Sequence, residues 1–363
     1  MQTLLFINTF FEEELSVENK FSILDWLEKH PLYLQLHYLS CLVADKQEIP
    51  LLAYQPDRSY LNHLENLRLF ASSYELIDSL HPSDFLLSSW GPSSSLASWA
   101  LERKLPYLIP STLVTKEVNS KAFSHLLSPT LETAALLSDE LSLKNWWASI
   151  KGPKVLKTLQ GSSGRGHFIS SEEDVTKAIS FFRKQIESSK ALLAEPWLDR
   201  LLDFSSQWKI HQNGSYEYLG ATLCQNSSKG SYQKSLVGSK EILFKEYLPF
   251  LEEHLKKATK MIEKLRELSF FGNVGFDAMI YKDPISQIPM LYPIVEINAR
   301  KTMGWVALKL HEKFPEAELF SLEYKKAGSQ KNSLLPRHIF NPKTGKTTHF
   351  SKELCFELNP VCF

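Results

Sequence analysis

The stretch from Leu248 to Arg300 limits the possible folds more than any other part of the chain. It opens with "LPFLEEHLKKATKMIEKLRELSF", in which Leu248, Leu251, Leu255, Ala258, Ile262 and Leu265 recur every third or fourth position. That spacing predicts a helix with one apolar face. Two strand-like runs follow, "NVGFDAMIYK" and "MLYPIVEINAR", joined by the turn-rich "DPISQIP". The arrangement predicts an antiparallel hairpin. If the hairpin is symmetric about Ser286 and Gln287, Asp277 lies directly opposite Glu296, with Cβ atoms roughly 5 Å apart. Strand alternation then puts Glu296, Asn298 and Arg300 on one face, and Asp277 points the same way. This register assumes that the connection holds no bulge. Like charges so placed are destabilising unless one takes a proton or a cation sits between them. Two carboxylates and an amide supply oxygen ligands that suit a hard cation, and magnesium bound by few protein ligands usually shares phosphate oxygens. The constellation asks for a nucleotide; a merely solvated edge hairpin is the alternative reading.

Upstream, "KVLKTLQGSSGRGHFIS" sets a glycine- and serine-rich loop, Gly161-Ser162-Ser163-Gly164-Arg165-Gly166, after a short apolar run carrying Lys154 and Lys157. Such a loop is either a plain surface turn or a flap that closes over phosphates. Around it, "KVLKTLQ", "HFIS", "ALLAEPWL" and "SQWKIHQNGSYEYLGATLC" predict a small mixed sheet with one helix, "SEEDVTKAISFFRKQIES", started by Ser170 or Ser171 and the acids after it. In "TKEVNSKAFSHLL", Asn119 or Ser120 caps a helix whose first turn holds Lys121. From residue 1 to about 115, "LQLHYLSCLVA", "IPLLAY", "DFLLSSW" and "LPYLIPS" are the expected strands, alternating with helical stretches such as "YLNHLENLRLFASSYELIDSL". The alternation predicts a parallel α/β sheet. The loop at Trp90-Gly91-Pro92 then falls at a strand's carboxyl end, where open α/β sheets gather ligands. The last forty residues carry little signal beyond a turn at "NPKTGK".

Composition narrows the function classes. The 363 residues suit two or three packed lobes, and 43% hydrophobic with 23% charged residues is ordinary for a globular chain. Forty-one basic residues balance forty-one acidic ones, so no net field gathers nucleic acid or anionic membrane, and neither is expected as a partner. The start lacks a basic segment and runs into Glu12, Glu13, Glu14 and Glu18, which argues against a signal peptide. No run approaches the roughly 20 apolar residues of a membrane helix. Cys41, Cys224, Cys355 and Cys362 form no zinc-type pair, and a reduced cytoplasm is the natural setting.

Taken in order, these stretches resemble the ATP-grasp superfamily, the fold of D-alanine–D-alanine ligase, biotin carboxylase and carbamoyl-phosphate synthetase. The resemblance spans roughly residues 115 to 310, and "INARKTMGWVAL" further resembles a poorly characterised branch with a small α/β amino-terminal domain. It implies an α/β chain, α+β in its central part: an amino-terminal pre-ATP-grasp domain over 1–115, a central subdomain over 116–220, a carboxyl-terminal subdomain over 221–325 and an extension over 326–363. It also implies that Lys121 and Lys157 contact the nucleotide phosphates, with Lys154 competing for the second place. The glycine-rich loop, Gly161, Ser162, Ser163 and Gly164 above all, matches the phosphate flap. "LLAEPWL" matches the hinge, where Glu195, Trp197 and Leu198 frame the adenine and Pro196 has no N–H to give. The ribose acid is Asp203 or Asp199. Asp277, Glu296 and Asn298 match the magnesium (or manganese) ligands, and Arg300 matches an arginine that contacts a phosphate or acyl group. One departure separates this chain from D-alanine–D-alanine ligases, which carry an arginine where it has Gly275.

The implied chemistry is ATP-dependent activation of a small-molecule carboxylate as an acyl phosphate, attacked by an amine or thiol, with Arg300 and Lys157 in the catalytic roles and a homodimer as a possible assembly. A kinase on the same nucleotide site and a non-catalytic ATP-binding module are the alternatives. Trp90, Lys209, His211, Lys234 and Trp305 are candidates for the substrate pocket, expected between the amino-terminal domain and the metal strands.

Overall fold

The computed structural model describes residues 2–17, 21–70, 73–80, 85–161, 166–171, 175–227, 232–328 and 332–360. They form two compact units, one from Met1–Thr112, Lys234–Ser239 and Arg300–Phe363, the other from Leu113–Gln233 and Lys240–Ala299.

The first unit contains the expected parallel sheet, with strands in the order Glu75–Leu76, Glu48–Leu52, Gln2–Phe6, Phe85–Ser89. Leu4, Leu5, Phe6, Leu51 and Leu52 bury its centre. Two expected strands are not strands. "LQLHYLSCLVA" is helical, within Pro31–His37 and Ser40–Val43. Pro31 at the first helical position presets the backbone angle, and Leu34, Tyr38, Cys41 and Leu42 bury at helical spacing. "LPYLIPS" lies outside regular structure, joined to strand Phe85–Ser89 through Leu87 N–H to Pro106 O at 2.9 Å. Pro106 and Pro110 lack the donors that a ladder needs. The same unit holds the antiparallel strands Leu319–Lys326 and Lys352–Leu358, with Lys234–Gly238 paired to the former. "NPKTGK" makes the hairpin between His338–Asn341 and Lys346–His349, with Gly345 at φ 67° in its turn.

The second unit has two antiparallel sheets. The smaller runs Ala135–Leu137, Leu192–Pro196, Lys154–Thr158, His167–Ser170. Helices Glu140–Ser149 and Thr176–Ser189 cover it through Leu143, Trp146, Trp147, Ala178 and Phe182. The second of these helices starts later than the serine-acid signal predicted. Val175 precedes it without a side-chain cap, and Ser170 is engaged in the ladder opposite Lys154.

The larger sheet of this unit runs Pro289–Asn298, Gly272–Lys282, Asp199–Ile210, Tyr216–Asn226. Helix Leu248–Glu267 packs on one face, where Ala258, Met261, Ile262 and Leu265 meet Trp208, Ile210, Val274, Phe276, Ile294 and Ile297. Side chains alternate along each strand, so the intervening positions turn to the opposite face. There Asp277 stands opposite both Glu296 and Ser205, and Ser205 opposite Thr222. One helix thus fixes which face is apolar and leaves the polar row to the site.

Candidate active site

Asp277 and Glu296 are direct cross-strand partners, as the symmetric hairpin predicts, but the route to that register differs from the one assumed. Near the turn, Lys282 pairs with Pro289 and Met279 with Tyr292, a register that would continue to Ile294 opposite Asp277. A bulge between these pairs sets three residues, Pro293, Ile294 and Val295, against the single Ala278. The two extra residues return Glu296 to Asp277 without changing its face. Asn298 donates Nδ2–H to Asp277 Oδ2 at 3.0 Å.

Lys121 opens helix Lys121–Leu127, which Ser120 rather than Asn119 caps by accepting from Ala122 N–H. Its buried ammonium donates to Glu296 Oε1 at 2.8 Å and to Gly161 O at 3.1 Å. Asn119 has another task. Its Oδ1 accepts from Ala299 N–H at 2.9 Å and its Nδ2 donates to Thr115 O at 2.8 Å, tying the end of the Glu296 strand to the preceding helix, Thr112–Val118. Ser162, Ser163, Gly164 and Arg165 of the expected flap lie outside the described residues. The flanking residues Gly161 and Gly166 are described; Thr158 N–H donates to Gly166 O at 2.9 Å and closes the loop's base.

Lys157 and Lys154 face opposite ways on one strand. Lys157 Nζ lies 2.5 Å from Glu195 Oε2, whereas Lys154 Nζ donates to Gly152 O and sits over the Trp147 ring. Tyr292 donates its hydroxyl to Glu195 Oε1 at 2.7 Å. Burial pushes the Glu195 carboxyl up, but the Lys157 ammonium and these two hydrogen bonds outweigh it and hold the group below the usual carboxylate range. His167, opposite Lys157 in the ladder, is pushed down to about 3 by burial, with the Lys157 and Lys121 charges adding to the effect. Its ring is neutral at pH 7.

Past the hinge, Trp197 N–H is taken by Pro153 O at 2.8 Å, and the Trp197 ring carries the Arg200 guanidinium 4.0 Å from its centre. Leu198 packs with Met279, Tyr281, Tyr292, Leu131 and Val295, an apolar patch beside Glu195. Of the two ribose candidates, Asp203 lies opposite Met279 and Cys224 and accepts from Arg200 Nη1 and Asn226 Nδ2, at 3.1 and 2.9 Å. Asp199 is exposed at the strand's start, opposite Lys282. Burial raises the Cys224 thiol, and the nearby Asp277 and Asp203 carboxylates raise it further.

The remaining candidates scatter. Arg300 belongs to the first unit, where its Nε pairs with Glu12 Oε1 at 2.6 Å. Trp90 and Trp305 are also there and buried: Trp90 O accepts from Lys301 N–H, and Trp305 lies in helix Met303–His311 beneath the Lys301 ammonium. Lys234, in the same unit, faces Glu323 across the ladder. In the second unit Lys209 is exposed, and His211 sits at a hairpin end, 3.8 Å from Glu217. Sequence reasoning named Asn119 only as a helix cap and missed Tyr292 and His167, whose places beside Glu195 and Lys157 are set by strand pairing.

The donor set suits a hard divalent cation: two opposed carboxylates and an amide oxygen on one sheet face. Among the described residues no group of three or more His, Cys, Asp or Glu side chains makes a richer metal set.

No protein-family profile matches the chain. Solved structures align over nearly its whole length. Biotin carboxylase from Campylobacter jejuni, in a β-γ-ATP complex, covers 98% of this chain and 87% of its own, at TM-score 0.57 and 12% identity. The biotin carboxylase domain of Hydrogenobacter thermophilus 2-oxoglutarate carboxylase, a dimer with MgADP, ADP and bicarbonate, covers 98% and 86%, at 0.53 and 14%. The chain has the ATP-grasp fold. A third ATP-grasp neighbour, Staphylococcus aureus N5-carboxyaminoimidazole synthetase complexed with ADP, covers 98% and 93%, at 0.52 and 9%. Among curated proteins, the [butirosin acyl-carrier protein]–L-glutamate ligase of Niallia circulans is 23% identical over 325 residues, 85% of this chain and 74% of that protein.

Proposed function

We propose that the protein is an ATP-dependent ligase that activates a small-molecule carboxylate as an acyl phosphate for attack by an amine or thiol. The observation that carries this reading is the double hydrogen bond of Lys121, which joins Glu296 of the metal set to Gly161 at the start of the glycine-rich loop. That link supports reading the carboxylate pair and the glycine-rich loop as parts of one site. Asp277, Glu296 and Asn298 are the proposed ligands of magnesium or manganese, which when bound would offset charge on the nucleotide phosphates. The similarity to nucleotide-bound ATP-grasp structures and to a ligase that acts on L-glutamate supports ATP as the phosphoryl donor and an amino acid as a candidate acid.

Each residue then has a task. Lys121 and Lys157 neutralise phosphate charge. The 161–166 loop excludes water, and a backbone carbonyl of residues 196–198 with the N–H of Leu198 reads the adenine above the Met279, Tyr281 and Tyr292 patch. Asp203, oriented by Arg200 and Asn226, takes the ribose hydroxyls. The acid's oxygen forms a bond to the γ-phosphorus as the bond to ADP breaks; the nucleophile then bonds to the acyl carbon, phosphate leaves, and the nucleophile's proton passes to solvent. Arg300, whose Nε pairs with Glu12, is the proposed partner of the transferred group. Positioning and charge neutralisation provide most of the acceleration in such transfers. A homodimer in a reducing compartment is the accompanying expectation; Cys41, Cys224 and Cys355 are all free thiols.

The test is hydroxylamine trapping. Purified protein with ATP, magnesium, L-glutamate or other candidate acids and hydroxylamine should release ADP and yield a hydroxamate. ADP release without a hydroxamate from any acid would turn the assignment to a kinase, and no ADP release to a binding module.

A further inference from the structure

His254 lies on helix Leu248–Glu267 and is completely buried in the apolar layer behind the metal strands. Leu251, Ala258 and Leu265 fill the neighbouring positions of that face. An imidazole is costly there unless both nitrogens find partners. Both do. Nδ1 is 2.7 Å from Pro293 O, and Nε2 is 2.7 Å from Ser206 Oγ, which also accepts from Trp208 Nε1 at 2.9 Å.

The directions of these bonds are forced. A carbonyl only accepts, so Nδ1 carries the proton; burial holds the ring's pKa at about 4, against the opposing pull of the Pro293 bond, so Nε2 accepts the Ser206 proton at neutral pH. The Ser206 oxygen in turn accepts from Trp208. The chain has one orientation and ties three elements together: strand Asp199–Ile210, the helix, and strand Pro289–Asn298.

Its end point is informative. Pro293 is the first residue of the bulge that brings Glu296 opposite Asp277. It has no N–H for a ladder bond, and its carbonyl turns to the helix. Beyond it, Ile294 packs into the helix-side core and Val295 into the site-side patch. Without the bulge, the register that begins at the turn would set Ile294 against Asp277 and Glu296 against Gly275.

We propose that His254 is a positioning residue for the metal site: by holding the Pro293 carbonyl it fixes the bulge, and the bulge sets Glu296 opposite Asp277. The inference rests on the reading of Asp277, Glu296 and Asn298 as magnesium ligands. A histidine is suited to this task because it satisfies a buried carbonyl at one end while being aimed from the other.

The two nitrogens can be separated by substitution. His254→Asn places an amide donor near the Nδ1 position, and His254→Gln places its amide near Nε2. ATP binding is followed by calorimetry with and without magnesium, together with amide hydrogen exchange across residues 289–298 in the nucleotide-free protein. His254→Gln should weaken magnesium-dependent binding about 10- to 100-fold, the usual effect of losing a group that orients a metal ligand. Its magnesium-free ATP affinity should not change, and exchange should speed up at 294–297. His254→Asn should keep wild-type magnesium affinity and protection, as should Ser206→Ala, which leaves the Pro293 bond in place. Equal effects of Asn and Gln, wild-type magnesium affinity in His254→Gln, or a loss in Ser206→Ala as large as that in His254→Gln would overturn the inference alone. ATP binding by the wild type that ignores magnesium would overturn the metal-site reading and the inference with it.

Discussion

Lys157 and Glu195 hold each other out of water, their side chains 11% and 3% exposed. Removing one partner of such a pair leaves a buried charge uncompensated, at a cost of about 3–5 kcal/mol. Lys157→Met should therefore lose stability on that order at neutral pH, and adding Glu195→Gln should restore most of it; strictly additive losses in urea titrations would contradict the pairing. The pH dependence follows from the depressed Glu195 pKa. A carboxyl held below its unfolded value stabilises the fold fully above the ordinary range near pH 4 and loses that contribution as pH falls through the lowered pKa. In Lys157→Met the carboxyl can take a proton, so the gap to wild type should be widest at neutral pH and narrow in acid. Each residue was legible by its motif, Lys157 before the glycine-rich loop and Glu195 at the end of "LLAE". Their contact was not, because strand order decides it: Leu192–Pro196 lies beside Lys154–Thr158 although the glycine-rich loop and a helix separate them in the chain. Tyr292 was invisible for the same reason.

Among the elements, the helix of 248–267 and the two strands after it were legible because period and length agreed over many residues. The pairing of Asp277 with Glu296 was also inferred correctly, yet through a turn whose local register is offset by two residues and a bulge that restores it. A two-residue bulge preserves the facing, so the alternation argument survived. "LQLHYLSCLVA" misled because a short apolar run fits a buried helix as well as a strand. The glycine-rich hairpin gives an element-level prediction. Gly166 holds φ 80°, and a Cβ there would clash with the Thr158 side chain. Gly166→Ala should strain the base of the loop by about 1–3 kcal/mol and weaken ATP binding, with little effect on protein yield. Wild-type ATP affinity in that variant would separate the loop from the nucleotide.

At the scale of the whole molecule, two units interleave along the chain: Arg300–Phe363 groups with the amino-terminal segment, and Lys240–Ala299 with Leu113–Gln233. Local texture does not carry such grouping. Lys352–Leu358 joins Leu319–Lys326 through a ladder that no local pattern announces, so beyond the turn at "NPKTGK" the last forty residues carry little signal. The parallel amino-terminal sheet was legible as a class more than in its parts: Glu48–Leu52 and Phe85–Ser89 fall in expected runs, whereas Gln2–Phe6 was not singled out and Glu75–Leu76 lies in a stretch read as helical. The proposed nucleotide residues Lys121, Lys157, Glu195, Asp203, Asp277, Glu296 and Asn298 all fall within the second unit, so nucleotide binding is a property that unit must account for. The most direct measurement is the magnesium dependence of ATP affinity in the wild type and in Glu296→Gln. The account predicts that magnesium tightens binding to the wild type, that Glu296→Gln loses this gain while keeping its fold, and that its turnover falls on the order of 100- to 1000-fold or more. The same magnesium dependence in both proteins would contradict it.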